Sequence, residues 1–159
     1  MRTGPAQALA VVVFTDLVGS TALRSRLGEE LAEEVRRQHD KVLSRATSAN
    51  GGRVVKGLGD GVMAVFSSAS DAVTAAAEMQ QRIGRVPVPD GAGALEIRVG
   101  VSAGEVTWEG DDCFGTPVVE AAHAQGACCL EQGDRFAVFR KRDRGGQPRH
   151  NDPLVTAGG

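Results

Sequence analysis

Apolar side chains along this chain recur with two different periods, and the places where the period changes mark the elements. Val11-Val12-Val13-Phe14 is a β-branched and aromatic run with the character of a buried strand, stopped by Thr15-Asp16. From Thr21 onward Leu23, Leu27, Leu31, Val35 and Val42-Leu43 recur every three or four residues among Glu, Arg and Gln, an amphipathic helical pattern that Gly28 divides into a short helix and a longer one. Asn50-Gly51-Gly52, tolerant of left-handed backbone, ends it. Residues 53–66 carry two apolar runs about Gly57, Gly59 and Gly61, which predicts a β-hairpin with Asp60 at its turn. Serines at 67, 68 and 70 supply caps for an alanine-rich helix over 69–83, and Pro87, Pro89, Gly91 and Gly93 punctuate the longest irregular loop. Residues 95–108 predict a strand pair with Gly104 marking a bend or a close approach, and the alternation of Leu95, Ile97, Val99 and Val101 puts Arg98 on the opposite face. Residues 111–115 read as a turn, Thr116-Pro117 as the opening of a helix through Val118, Val119, Ala121 and Ala122, and 135–139 as a last strand.

Hairpins alternating with helices predict an α+β domain of the ferredoxin-like kind, a mostly antiparallel sheet with helices packed on one face. At 159 residues the chain makes one domain with a core of its own. Residues 1–7 read as a flexible leader, 8–139 as the domain, and 140–159, almost without apolar side chains over 140–150, as a polar tail of disordered composition. A formal net charge of -2 and the absence of tyrosine argue against a nucleic-acid platform, which uses basic stripes and stacking aromatics. The apolar run at 8–14 is too short to span a bilayer and lacks a cleavage pattern, so a cytoplasmic protein with no membrane segment is expected. Cys113, Cys128 and Cys129 lack metal-ligand spacing and read as reduced thiols.

Candidate chemistry concentrates where the first strand stops. Asp16 is a hard oxygen ligand at a strand end, and Gly19, Ser20 and Thr21 open a helix whose unpaired amides suit phosphate. Side by side they suggest a metal-nucleotide site; a strand, a turn and a capped helix without ligand is the plain alternative. If the first strand lies beside the hairpin, Asp60 joins Asp16 at one sheet edge, where two carboxylates repel unless cations sit between them. Taken alone, Asp60 is an ordinary turn aspartate.

The joint pattern is more specific. Phe14-Thr15-Asp16-Leu17-Val18-Gly19-Ser20-Thr21, Lys56-Gly57-Leu58-Gly59-Asp60-Gly61, Arg98-Val99-Gly100 with Gly104-Glu105-Val106, and Asp112-Cys113-Phe114-Gly115 together resemble the catalytic domain of class III nucleotidyl (adenylate/guanylate) cyclases, over residues 8–122. The resemblance implies conversion of ATP or GTP to the 3′,5′-cyclic nucleotide and pyrophosphate, in cyclic-nucleotide signalling, at sites shared across a head-to-tail homodimer. By motif position Asp16, the Leu17 backbone and Asp60 would hold two Mg²⁺ or Mn²⁺ ions. The backbone of Leu17, Val18, Gly19, Ser20 and Thr21 would cradle the β- and γ-phosphates, and Arg98 would contact phosphate. Lys56 and Asp112 match the base-selecting pair, and their chemistry suits adenine: lysine donates to N1, aspartate accepts from the exocyclic amine, and guanine reverses both. ATP is therefore the expected substrate.

The sequence departs from the family in the helix after Asp112. The family's ribose-orienting asparagine and its charge-neutralising arginine fall on Val119 and His123. Valine forms no hydrogen bond, and histidine carries full charge only near or below about pH 6.5, so His123 is either a weak catalytic substitute or a surface residue. The family's later basic residue has no alignable counterpart; Arg140, Lys141 and Arg142 are candidates by composition only. An adenylate cyclase and a catalytically weak or inactive cyclase-like module, binding nucleotide or dimerising as a regulatory partner, both remain open. A GGDEF-type diguanylate cyclase is disfavoured by the absence of its hairpin motif.

Overall fold

A computed structural model of the chain describes residues 5–91, 93–127 and 136–139. Its centre is β1 (Ala6–Leu17), flanked on one side by β3 (Val62–Phe66) and on the other by β4 (Ile97–Glu109). The edges are β2 (Arg53–Gly57) beside β3 and β5 (Asp112–Phe114) beside β4, giving the order β2-β3-β1-β4-β5 with every pairing antiparallel. A short strand, β6 (Phe136–Phe139), pairs parallel to the first half of β4.

Alternation sorts the side chains of β1 between two cores. Val11, Val13 and Leu17 face α2 (Glu29–Ala49) and α3 (Ala69–Ile83), which bury Val35, Leu43 and Ala46 and Ala72, Ala75, Ala76 and Met79 against the sheet. Small alanines let α3 lie close, and Ser68 caps it by accepting from the Asp71 amide at 3.3 Å. A short helix, α1 (Ser20–Leu27), turns into α2 at Gly28, where φ is 78°. Val12, with Met63, Val65, Val106 and Cys113, faces the other way, onto α4 (Thr116–Ala127) through Ala121.

The α+β architecture with its mostly antiparallel sheet is therefore the expected one, but the helices do not all pack on one face. Two glycines of β4 explain the position of α4: a Cβ at Gly100 would lie 2.0 Å from the Ala121 carbonyl oxygen, and one at Gly104 2.8 Å from the Pro117 ring. Gly104 thus marks a close approach, and β4 is one thirteen-residue strand where a bent pair was expected. β1 pairs with it along its whole length, from Ala6 opposite Trp108 to Leu17 opposite Ile97, so Ala6 and Gln7 belong to the sheet and not to a frayed leader. Asp112, Cys113 and Phe114, expected within a turn, form β5 because they pair with Glu109, Trp108 and Thr107. Residues 1–4, Cys128, Cys129 and the proposed tail at 140–159, including Arg140, Lys141 and Arg142, lie outside the described residues. Among the described residues no helix is long and apolar enough to cross a membrane.

Packing at Gly100 yields a paired test. Gly100→Ala should cost about 2–3 kcal/mol through backbone overlap with α4. Gly126→Ala, with nothing within 4 Å of the new Cβ, should instead gain about 0.5–1 kcal/mol from helix propensity. Urea unfolding of the two variants reads the contrast; equal midpoints would contradict the seating of α4.

Candidate functional site

Where β1 ends, three contacts bring the hairpin turn against it. The Leu17 amide donates to the Asp60 carbonyl at 2.7 Å, the Val62 amide donates to Thr15 Oγ1 at 2.9 Å, and a Cβ at Gly61 would lie 1.8 Å from the Thr15 carbonyl oxygen. Only glycine fits at position 61. Asp16 and Asp60 consequently sit on adjoining backbone at one corner of the sheet. Ser20, the first residue of α1, donates from Oγ to Asp60 Oδ2 at 3.1 Å. Asp16 lies opposite Arg98 across the β1–β4 ladder, and the Arg98 guanidinium donates to its carboxylate. Arg98, placed by motif as a phosphate contact, is thus the counter-ion of Asp16, and its Nε is buried without a partner among the described residues.

The phosphate cradle is narrower than the motif suggests. The Leu17 amide is committed to Asp60 and the Val18 amide to the Glu96 carbonyl at 2.9 Å, which leaves the main chain at Gly19, Ser20 and Thr21 to receive an anion. Gly19 holds a left-handed φ of 67° as the helix opens. No side chain caps α1, because its N-cap residue is Gly19, and the Ser20 hydroxyl is turned to Asp60. Beside this start lies a cavity of about 360 Å³, lined by Leu17, Ser20, Thr21, Asp60 and the cationic Arg24 and Arg36. Asp16 does not line it; its carboxylate lies on the α4 side with Arg98.

Lys56 and Asp112 meet although β2 and β5 stand at opposite ends of the strand order. Lys56 Nζ donates to both carboxylate oxygens, at 3.0 and 2.8 Å, and the Cys113 amide donates to Oδ1 at 2.9 Å. The lysine hydrogen bond, against a smaller opposing effect of burial, holds the Asp112 carboxyl below its ordinary range. Burial and the neighbouring Asp112 push the Cys113 thiol up, which fits an unreactive side chain.

Val119 is 55% exposed, and His123, one turn further along α4, is exposed with no hydrogen bond or ion pair among the described residues. Neither is brought against Asp16 or Asp60 by any such bond. Sequence reasoning missed the Arg98–Asp16 pair, although opposite charges on same-face positions of two strands were a usable signal. It also missed the Ser20–Asp60 bond and the stack of Arg53 on the Trp108 ring, 4.6 Å from its centroid.

No group of three or more His, Cys, Asp or Glu gathers at one point among the described residues. A hexacoordinate Mg²⁺ or Mn²⁺ takes one or two carboxylates from a protein, with main-chain carbonyls, water and phosphate oxygens completing its shell. Asp16 and Asp60 offer such hard oxygens from adjoining backbone, Asp16 on the α4 side and Asp60 beside the α1 cavity. The donor set of Asp16, Asp60 and the Leu17 carbonyl fits such ions by its chemistry.

Comparison with known proteins identifies the family. The family described as "Adenylate and Guanylate cyclase catalytic domain" matches residues 5–124. An adenylate cyclase of Streptomyces coelicolor is 39% identical over 107 residues, covering 67% of this chain and 27% of that protein. The structure of a bacterial light-regulated adenylyl cyclase superposes with a TM-score of 0.75 at 20% identity, over 86% of this chain and 44% of that one. An adenylyl cyclase from P. aeruginosa does so at 0.68 and 24%, over 79% and 74%. The chain spans between 14% and 32% of the length of the curated relatives it matches. With the family matched over residues 5–124 and the fold shared with solved cyclase domains, this chain belongs to the class III adenylate and guanylate cyclase catalytic domains.

Proposed function

We propose that the domain is an adenylate cyclase, converting ATP to 3′,5′-cyclic AMP and pyrophosphate in the cytoplasm as part of cyclic-nucleotide signalling. The observation that carries the choice of ATP is the Lys56–Asp112 pair, a donor and an acceptor held side by side in a partly exposed ion pair. Adenine requires that polarity, with a donor opposite N1 and an acceptor opposite its amine. In this reading the 3′-hydroxyl oxygen forms a bond to the α-phosphorus, the bond to the bridging oxygen breaks, and pyrophosphate leaves. Asp16, Asp60 and the Leu17 carbonyl would hold two Mg²⁺ or Mn²⁺ ions, which when bound acidify the 3′-hydroxyl and offset phosphate charge. The main chain at Gly19, Ser20 and Thr21 receives terminal phosphate oxygens at the positive end of α1. Arg98 orients the Asp16 carboxylate, while its own Nε is buried without a partner among the described residues. Two copies arranged head to tail complete each site, one chain giving Asp16 and Asp60 and the other Lys56 and Asp112.

A second reading, a cyclase-fold module that binds nucleotide or dimerises with little turnover, is favoured by Val119 and His123. The exposed valine offers the ribose no hydrogen bond, and the imidazole lacks the permanent charge of an arginine.

Purified chain incubated with ATP and Mn²⁺ should release cyclic AMP, and Asp60→Asn should lower the rate by about 10²-fold or more. No product from the wild type at any pH would leave the second reading. His123→Arg should raise kcat by about tenfold or more if charge at the α-phosphate is under-neutralised; an unchanged rate would remove position 123 from the chemistry. Joint replacement of Lys56 and Asp112 should erase the preference for ATP over GTP in kcat/KM. Because Lys56 depresses the Asp112 pKa, their pair supports the fold above the ordinary value of 3.8 and is lost as pH falls below it. In Lys56→Met, ¹³C-detected titration should therefore find the Asp112 carboxyl back near that value.

A further inference from the structure

Arg53 and Lys56 are three residues apart on an edge strand, and strict alternation would turn them to opposite faces. The ladder shows otherwise. Arg53 lies opposite Val65 and Lys56 opposite Met63, with the register shifting between Val54 and Lys56. Val65 and Met63 are two apart and share the α4-side core, so the extra residue, Val55, returns Lys56 to the face of Arg53. From that face the Arg53 guanidinium lies 4.6 Å from the centroid of the Trp108 ring. Trp108 pairs with Cys113 and its neighbour Glu109 with Asp112, so the ring stands on the strand that holds β5 in place. Lys56 Nζ in turn lies 5.8 Å from the Phe114 ring.

Among the described residues β2 pairs only with β3, and β5 only with β4, so no ladder hydrogen bond there links the strand of Lys56 to the strand of Asp112. A lysine has four rotatable bonds, and holding it at one carboxylate costs rotamer freedom. A planar arginine stacked on an indole is stiffer and gains about 0.5–1 kcal/mol at an exposed site, equivalent to about a two- to fivefold change in population.

We propose that Arg53 and Trp108 are positioning residues for base selection, a cation-π brace that fixes the edge strand so that Lys56 and Asp112 present one donor and one acceptor to the purine. The brace rests on the reading of Lys56 and Asp112 as the base-selecting pair, but its geometry is independent of turnover. It touches neither phosphate nor metal ligands. Loss of the brace therefore alters which purine is preferred while leaving the phosphate chemistry intact.

The test compares Arg53→Gln and Trp108→Leu with the conservative Arg53→Lys and Trp108→Phe, in the full chain. The first readout needs no nucleotide: ¹³C titration of the Asp112 carboxyl, with Lys56→Met as the reference for a broken pair. Arg53→Gln and Trp108→Leu should move Asp112 towards that reference, and the conservative variants should hold it near wild type. The second readout is kcat/KM for ATP against GTP, which should fall by about two- to fivefold in the two disruptive variants, through KM with kcat retained, and recover in the conservative ones. Should Trp108→Leu not fold, Arg53→Gln at the exposed end of the stack carries the experiment. An Asp112 titration unchanged in Arg53→Gln overturns the proposal, as does an equal loss with ATP and GTP. A moved titration in a chain that makes no cyclic nucleotide upholds the brace and refutes the enzymatic reading instead.

Discussion

The contact on which the rest depends is the closure of the β2–β3 turn onto the end of β1. Two acidic residues far apart in sequence reach one corner because the Leu17 amide is satisfied by the Asp60 carbonyl, and because Gly61 lets backbone meet backbone with no side chain between. A strand end normally leaves amides and carbonyls to water. Here they are used to fix the turn, so the aspartates inherit the rigidity of a central strand. That is the precision a charged site needs, since carboxylates on a wandering loop would separate to relieve their repulsion.

The two faces of the sheet divide the work. Alanine-rich α3 and the long α2 build a dry core against Val11, Val13 and Leu17, and this face accounts for stability. The other face collects Asp16, Arg98, Lys56 and Trp108, with α4 admitted through Gly100 and Gly104. Charged and aromatic groups can share it because α4 covers only part of the sheet, and Phe114 and Val119 stay half exposed beside them. The arrangement leaves an open, charged surface over a closed supporting one.

Most of this order was legible in the chain. The helices at Ala69–Ile83 and from Glu29, the Gly28 break and the glycine-centred hairpin follow from local periodicity and turn chemistry, which act over a few residues. What failed to show were consequences of distant partners. Gly104 signals a bend and a close approach alike, and only Pro117 decides between them. Ala6 and Gln7 look like leader until Trp108 and Thr107 extend the ladder past them. The aspartates, Lys56 and Asp112 were found through ordered motifs, whereas the Arg98–Asp16 pair and the Arg53–Trp108 stack depend on register and on a bulge that no local pattern announces.

Arg98 has a consequence for the order of events in the life of the molecule. A cluster of bare carboxylates would oppose folding until a cation arrived, as in small domains that collapse only around their ion. Asp16 instead carries a built-in counter-charge, and Asp60 a hydroxyl donor. The scaffold is thereby free to assemble in water without any cation, because the charge of its acidic corner is already answered from within the chain.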